Sequence, residues 1–108
     1  MIITSEDPRN EPIDSINNAI LSGISDTRFS IFRDTDLDTV TIEKNQKYIF
    51  VIPDRRKAIA YAISLAQKGD LVLLTGKGHE KSMNYGKGEE NWDENGIAIN
   101  ALKNRKLL

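Results

Sequence analysis

The chain has 108 residues, of which 39% are hydrophobic and 29% charged, and its net charge is −1. That is the length of one domain and the composition of an ordinary globular protein, able to bury a real core with a modest margin of stability. Dispersed, balanced charge gives no electrostatic ground for a nucleic-acid partner, and the absence of cysteine removes disulfides, thiolate metal sites and thiol nucleophiles. No apolar run is long enough to span a bilayer, and no basic segment leads into an apolar one in the manner of a signal peptide. No membrane partner is expected, and the cytoplasm is the expected compartment.

In chain order, Met1-Ile2-Ile3-Thr4 reads as the end of a short buried strand running into the polar turn Ser5-Glu6-Asp7-Pro8-Arg9. A helix follows, with Pro12 suited to its first position, Ile13, Ile16, Ile20 and Ile24 at helical spacing, and Gly23 at its stop. Residues 28–43 alternate like two strands about the turn chemistry of Asp34-Thr35-Asp36, which predicts an inserted β-hairpin. Tyr48-Ile49-Phe50-Val51-Ile52 is a compact apolar run of the kind that is buried on both faces of a sheet. Asp54 can cap the next helix, whose apolar stripe is Ile59, Ala62, Ile63 and Ala66 and whose stop is Gly69. Leu71-Val72-Leu73-Leu74 predicts a second buried strand, completing a parallel, right-handed βαβ unit. Ile97, Ala98, Ala101 and Leu102 predict a last helix beginning near Asp93. The expected fold class is α/β: a mainly parallel, partial Rossmann-like sheet flanked by helices.

Ligands of open parallel sheets bind at the carboxyl ends of the strands, and two strands here are expected to end in unusual loops. One is Thr4 to Arg9; the other is Thr75-Gly76-Lys77-Gly78-His79-Glu80. Arg9 offers a rigid fork of donors for a carboxylate, Gly76 and Gly78 allow a close backbone approach, and Glu80 can accept from an ammonium group. Together they suit a zwitterionic amino acid. Each also has a plainer reading: Pro8 and the glycines as turn punctuation, Arg9 as a solvated surface charge, His79 as a hydrogen-bonded structural group rather than a general base. Gly76-Lys77-Gly78 is not a phosphate-binding P-loop, because it lacks the upstream Gly and the Ser or Thr after Lys. No metal site and no catalytic residue is expected in this chain.

Thr4-Ser5-Glu6-Asp7-Pro8-Arg9, then Asp54-Arg55 opening a helix, then Gly76-Lys77-Gly78-His79-Glu80, and finally Asn91-Trp92-Asp93-Glu94 stand in one order along the chain. In that combination the sequence resembles the C-terminal domain of the Mur ligases, in particular the UDP-N-acetylmuramoyl-dipeptide ligases that add the third residue of the cell-wall peptide precursor. The resemblance implies an ATP-dependent, magnesium-assisted amide-bond formation in the complete enzyme, through an acyl phosphate attacked by the incoming amine. It also implies that Asp7, Arg9, Gly76 and Glu80 contact a diamino acid, with Glu6, Pro8, Lys77, Gly78 and His79 as the supporting loops. Arg9 would hold the distal carboxylate, and Gly76 and Glu80 the distal amino and carboxyl groups.

Three departures qualify what the resemblance implies. Asp7 stands where the diaminopimelate-adding members carry Asn, and an ionised Asp only accepts hydrogen bonds. Arg9 therefore argues for meso-diaminopimelate, and Asp7 for a more cationic ligand such as lysine. The stretch from Gly23 to Asp54 is longer than in the family, which the predicted hairpin would explain. Residues 1–108 would form a single C-terminal domain truncated at its N-terminus, lacking the substrate-binding and ATP-binding domains and its own opening strands. On that expectation the chain binds neither ATP nor Mg2+ by itself and acts only with the missing domains. The contrasting expectation is a stand-alone module that binds a diamino acid.

Overall fold

The computed structural model describes residues 1–24, 28–77 and 80–105. Three strands form a parallel sheet: β1 (Ile2–Ile3), β2 (Phe29–Arg33) and β3 (Lys47–Val51), in the order β1-β3-β2. β3 is central because its run is apolar on both faces, and Ile49, Phe50, Val51 and Ile52 are all buried. Its neighbours are in register as Ile2↔Phe50 and Ile3↔Val51 on one side and as Phe29↔Lys47 to Arg33↔Val51 on the other. Two helices pack beside the sheet: α1 (Ile13–Ser22) and α2 (Arg55–Leu65). A short antiparallel pair, β4 (Ser82–Asn84) and β5 (Glu89–Asn91), precedes α3 (Glu94–Asn104).

α2 is the element on which both halves of the core rest. Asp54 caps it, accepting from the amides of Arg56 and Lys57 at 2.9 and 3.3 Å. Ala58, Tyr61 and Leu65 pack towards the sheet with Phe50 and Ile52. Ile59 and Ile63 pack instead with Met83, Trp92 and Ile97. Arg105, just past α3, donates to the carbonyls of Ile63 and Ala66 and so satisfies the last turn of α2. Asp93 caps α3 through the amide of Gly96 at 3.1 Å.

The α/β class with a parallel sheet and flanking helices is as the sequence predicts, but three local expectations are corrected. Residues 28–43 do not form a hairpin. Phe29–Arg33 pairs with the distant β3, and Asp34–Thr39 is a 3-10 helix whose Asp36 carboxylate accepts from the Arg33 amide at 3.2 Å. Alternation in the sequence is the same for both arrangements, so it could not choose the partner. The second helix stops at Leu65, and Gly69 (φ 92°) sits in the turn beyond it. The run Leu71–Leu74 pairs with no strand among the described residues: Val72 and Leu74 pack on the core, while Leu71 and Leu73 are 86% and 75% exposed. The predicted βαβ unit therefore lacks its second ladder.

α1 is also less covered than its periodicity implies. Ile13 and Ile16 are half-buried, Ile20 is exposed, and the one fully buried side chain is Asn17. Among the described residues neither amide atom of Asn17 has a hydrogen-bond partner. Pro12 precedes the first helical residue and Gly23 closes the helix.

Core depth sets the expected stability pattern. Ile52→Ala should cost about 2–5 kcal/mol, because a fully buried isoleucine leaves a cavity. Leu73→Ala should stay within about 0.5 kcal/mol, because its side chain already faces water. Urea unfolding of the two variants measures both.

Candidate functional site

The two loops expected to carry the chemistry are drawn together by one buried side chain, Arg55 at the start of α2. Its Nη1 donates to the Ser5 carbonyl at 3.0 Å, two residues beyond β1. Its Nη2 donates to the Thr75 carbonyl at 2.8 Å, at the end of the 71–75 segment. Nε and Nη2 also grip the two oxygens of Glu94 at 2.8 and 2.7 Å. Arg55 and Glu94 are 5% and 9% exposed at their side chains, so this is a desolvated, bidentate ion pair. The Trp92 indole donates to the same carboxylate at 3.1 Å. The Arg55 hydrogen bond holds the Glu94 carboxyl below its ordinary value against the opposing effect of burial, with Trp92 assisting.

The first loop is held from a second side by the β4–β5 hairpin. The Asn84 amide donates to Asp7 Oδ1 at 2.7 Å, and the Arg9 amide donates to the Asn84 carbonyl at 2.8 Å. Arg9 Nε donates to Asp7 Oδ2 at 3.2 Å. The Asn84 amide is the main reason the Asp7 carboxyl titrates below its ordinary range, followed by the charges of Lys77 and Arg9. Asp7 thus spends its charge inside the loop. Tyr85 adds its hydroxyl, within 3.2 Å of Ser5 Oγ and 3.5 Å of the Arg55 amide. Gly86 has φ 106°, and a Cβ there would lie 2.6 Å from the Arg9 carbonyl, so only glycine fits beneath the loop.

Arg9 itself adopts φ 54°, the left-handed region, and its side chain is 64% exposed. Among the described residues its terminal guanidinium nitrogens have no partner, so the fork faces solvent. Pro8 beside it is buried and Glu6 is exposed. In the other loop, Gly76 has φ 100°, and a Cβ there would stand 3.1 Å from Glu6 Oε2, so the two loops touch at this point. Lys77 is buried to 1% at its side chain and pairs with Glu80 Oε2 at 3.0 Å, while Glu80 is 55% exposed. Gly78 and His79 lie outside the described residues. The loops converge even though 71–75 is unpaired, because Arg55 supplies the tie that a sheet would otherwise provide.

Sequence reasoning picked out Asp7, Arg9, Gly76 and Glu80 as contacts, and Arg55, Trp92 and Glu94 only as members of two separate motif strings, not as the residues that position the loops. Arg55 and Glu94 are 39 residues apart, and no spacing rule connects them. Asn84, Tyr85 and Gly86 gave only a faint turn signal.

The sequence model of the family described as "Mur ligase, glutamate ligase domain" matches residues 1–78. The chain therefore belongs to the Mur ligase family. It is 37% identical over 101 residues to the UDP-N-acetylmuramoyl-L-alanyl-D-glutamate--2,6-diaminopimelate ligase of Clostridioides difficile, covering 94% of this chain and 17% of that protein. It is 39% identical over 102 residues to the UDP-N-acetylmuramyl-tripeptide synthetase of Borreliella afzelii, with the same coverage of 94% and 17%. Against the diaminopimelate ligase of Fusobacterium nucleatum it is 32% identical over 108 residues, which is 100% of this chain and 18% of that one. The chain thus spans under one fifth of the length of these relatives. No solved structure matches it. No helix among the described residues is long and apolar enough to cross a membrane.

The central ion pair makes two predictions. Arg55→Ala should destabilise the fold by about 3–5 kcal/mol, because Glu94 is left as an uncompensated buried charge. Because the folded Glu94 is more acidic than its ordinary value of 4.5, its contribution is present above that pH and lost as pH falls through the lower, folded value. Asp7 is shifted in the same direction. Glu94→Gln should therefore shrink, without abolishing, the loss of stability between pH 7 and pH 3 in denaturant titrations.

Proposed function

We propose that this chain is the amino-acid-recognising C-terminal part of an ATP-dependent ligase that adds a diamino acid, meso-diaminopimelate, to UDP-MurNAc-dipeptide in peptidoglycan precursor synthesis. The observation that carries the reading is the pair of loops rooted on Arg55, with a solvent-facing Arg9 fork on one and Glu80 on the other. Two relatives whose printed names specify 2,6-diaminopimelate support the choice of substrate. Asp7 no longer argues strongly for lysine, since both its oxygens are engaged within the protein.

In this reading Arg9 pairs bidentately with the distal carboxylate, a geometry that lysine in its place could not reproduce. The free oxygen of Glu80 accepts from the distal ammonium group, and Gly76 lets the backbone approach. These residues bind and orient; none of them transfers a proton or a phosphoryl group. ATP and Mg2+ would be held by the ATP-binding domain. The donor set here does not fit a metal, since no three carboxylates or histidines gather among the described residues. The partners are then the diamino acid and the substrate-binding and ATP-binding domains, and the compartment is the cytoplasm, where nucleotide-linked precursors are made. The second reading, a stand-alone diamino-acid-binding module, differs in needing no other domain for tight binding.

Isothermal titration of the folded chain with meso-diaminopimelate and with lysine tests this. Preference for meso-diaminopimelate is expected, weakened roughly 10- to 100-fold in Arg9→Ala by loss of a charged hydrogen-bonded pair. Equal or better binding of lysine would reassign the substrate. Unchanged binding in Arg9→Ala would remove Arg9 from the site.

A further inference from the structure

Lys77 is the most deeply sealed charge of the two loops, with its side chain 1% exposed. Lysine is almost never buried to that depth unless it is paired, because taking an ammonium group out of water is costly. Its partner is Glu80, whose Oε2 lies 3.0 Å from Lys77 Nζ. The pair is lopsided. In the structural pair Arg55–Glu94 both side chains are sealed, whereas Glu80 is 55% exposed. The cation is hidden and the anion is presented to solvent. We infer that Lys77 is a positioning and specificity-determining residue: its buried ammonium group fixes Glu80 and offsets its charge, so that the site takes a diamino acid with a zwitterionic far end in preference to one ending in a bare cation. The inference rests on the proposed amino-acid subsite, and it goes further in naming the group that sets the charge preference there.

Three observations carry it. First, the Glu80 amide donates to the Lys77 carbonyl at 3.0 Å, so the turn itself keeps the two residues together. Lys77 occupies Oε2 and thereby orients the other oxygen of Glu80, the one left to accept from a ligand ammonium group. Second, the Lys77 charge reaches beyond its own loop. It lowers the Asp7 carboxyl on the first loop, after the larger effect of the Asn84 amide. It also lowers the Glu94 carboxyl, after Arg55 and Trp92. One ammonium group therefore lies among carboxylates from both loops and from the start of α3.

Third, each loop carries one ion pair, Arg9–Asp7 on the first and Lys77–Glu80 on the second. Each pair is neutral as a unit, and the exposed Glu6 beside Gly76 is the charge most screened by water. A far end bearing one carboxylate and one ammonium group meets a balanced surface. The bare ammonium of lysine instead brings an unmatched positive charge towards Arg9 and Lys77. A fixed charge a few ångströms away in a partly desolvated site changes affinity by a factor on the order of five to ten.

The test is isothermal titration of the folded chain with meso-diaminopimelate and with lysine, read as the ratio of the two affinities. Lys77→Met keeps most of the side chain's length and removes its charge. It should move the ratio about five- to tenfold towards lysine, because Glu80 is left without its counter-charge. Glu80→Gln alone should move the ratio the other way. Glu80 is half-exposed, so this variant keeps the result readable even where Lys77→Met unfolds the chain. Combining the two should return the ratio to that of the wild type, although both ligands then bind more weakly. A packing role for Lys77 would not be rescued by a change at Glu80. An unchanged ratio in Glu80→Gln or in folded Lys77→Met overturns the inference, as does a double variant that keeps the Lys77→Met ratio. NMR titration of the Asp7 carboxyl needs no ligand: it should occur at higher pH in Lys77→Met than in the wild type, and no change would remove the Lys77 charge from the site. A folded wild type that binds neither amino acid sinks the proposed subsite and the preference with it. Binding that depends on Arg9 but keeps its ratio in the Lys77 and Glu80 variants sinks the inference alone.

Discussion

The Arg55 guanidinium is the constraint on which the rest of the arrangement depends. A buried cation is tolerable when it is paired and well hydrogen-bonded, and Arg55 meets this with four hydrogen bonds to one carboxylate and two main-chain carbonyls. Those carbonyls belong to Ser5 and Thr75, residues at the starts of the two loops of the candidate site. Desolvation offsets much of the Coulomb attraction in such a pair, so its value lies less in net stability than in fixing where the loops begin. A lysine could keep the charge but could not reach three acceptors in one plane. Glu94 at the start of α3 and Trp92 just before it complete the arrangement, so the last helix is tied to the roots of the two loops.

From this root the first loop is shaped by the hairpin. Asp7 accepts from the Asn84 amide, and Arg9 donates back to the Asn84 carbonyl, so two reciprocal bonds hold the turn. Arg9 occupies left-handed backbone space, at a cost of order 1 kcal/mol for a residue other than glycine. Gly86 makes room for its carbonyl. The consequence is an exposed guanidinium on a turn that is tied from two sides. The acidic residue at position 7 is therefore better understood as part of the scaffold than as a specificity determinant.

Legibility of the sequence followed the range of the interactions. Asp54 and Asp93 were recognisable caps because a cap is local, and the buried run of β3 was recognisable because burial on both faces leaves its mark on every residue. The loop motifs were legible as strings. What could not be read was pairing: Phe29–Arg33 alternates identically whether its partner is Thr39–Ile42 or the distant Lys47–Val51, and the Asp34–Asp36 turn chemistry served a 3-10 helix instead. β4 and β5 are three residues each and largely polar, too short for any period. Arg55 and Glu94 were visible as members of two separate motif strings, but their pairing was not, since nothing local announces a partner 39 residues later.

Leu71–Leu74 is a different kind of disagreement. There the sequence pattern is unambiguous, a continuous aliphatic run of the sort found in strands covered on both sides, and yet two of the four side chains lie in water. Sequences that fold reliably are locally consistent with their final packing, so such a conflict points to apolar surface that these residues cannot bury among themselves. Ile20 of α1, 47% exposed, conflicts in the same way. The Arg55 tie holds the chain just past β1 and the end of the 71–75 segment at a set separation, while α2 packs against both. The spacing of the two loops and the separation of the ends of β1 and of the 71–75 segment are thus one quantity, fixed by the same guanidinium.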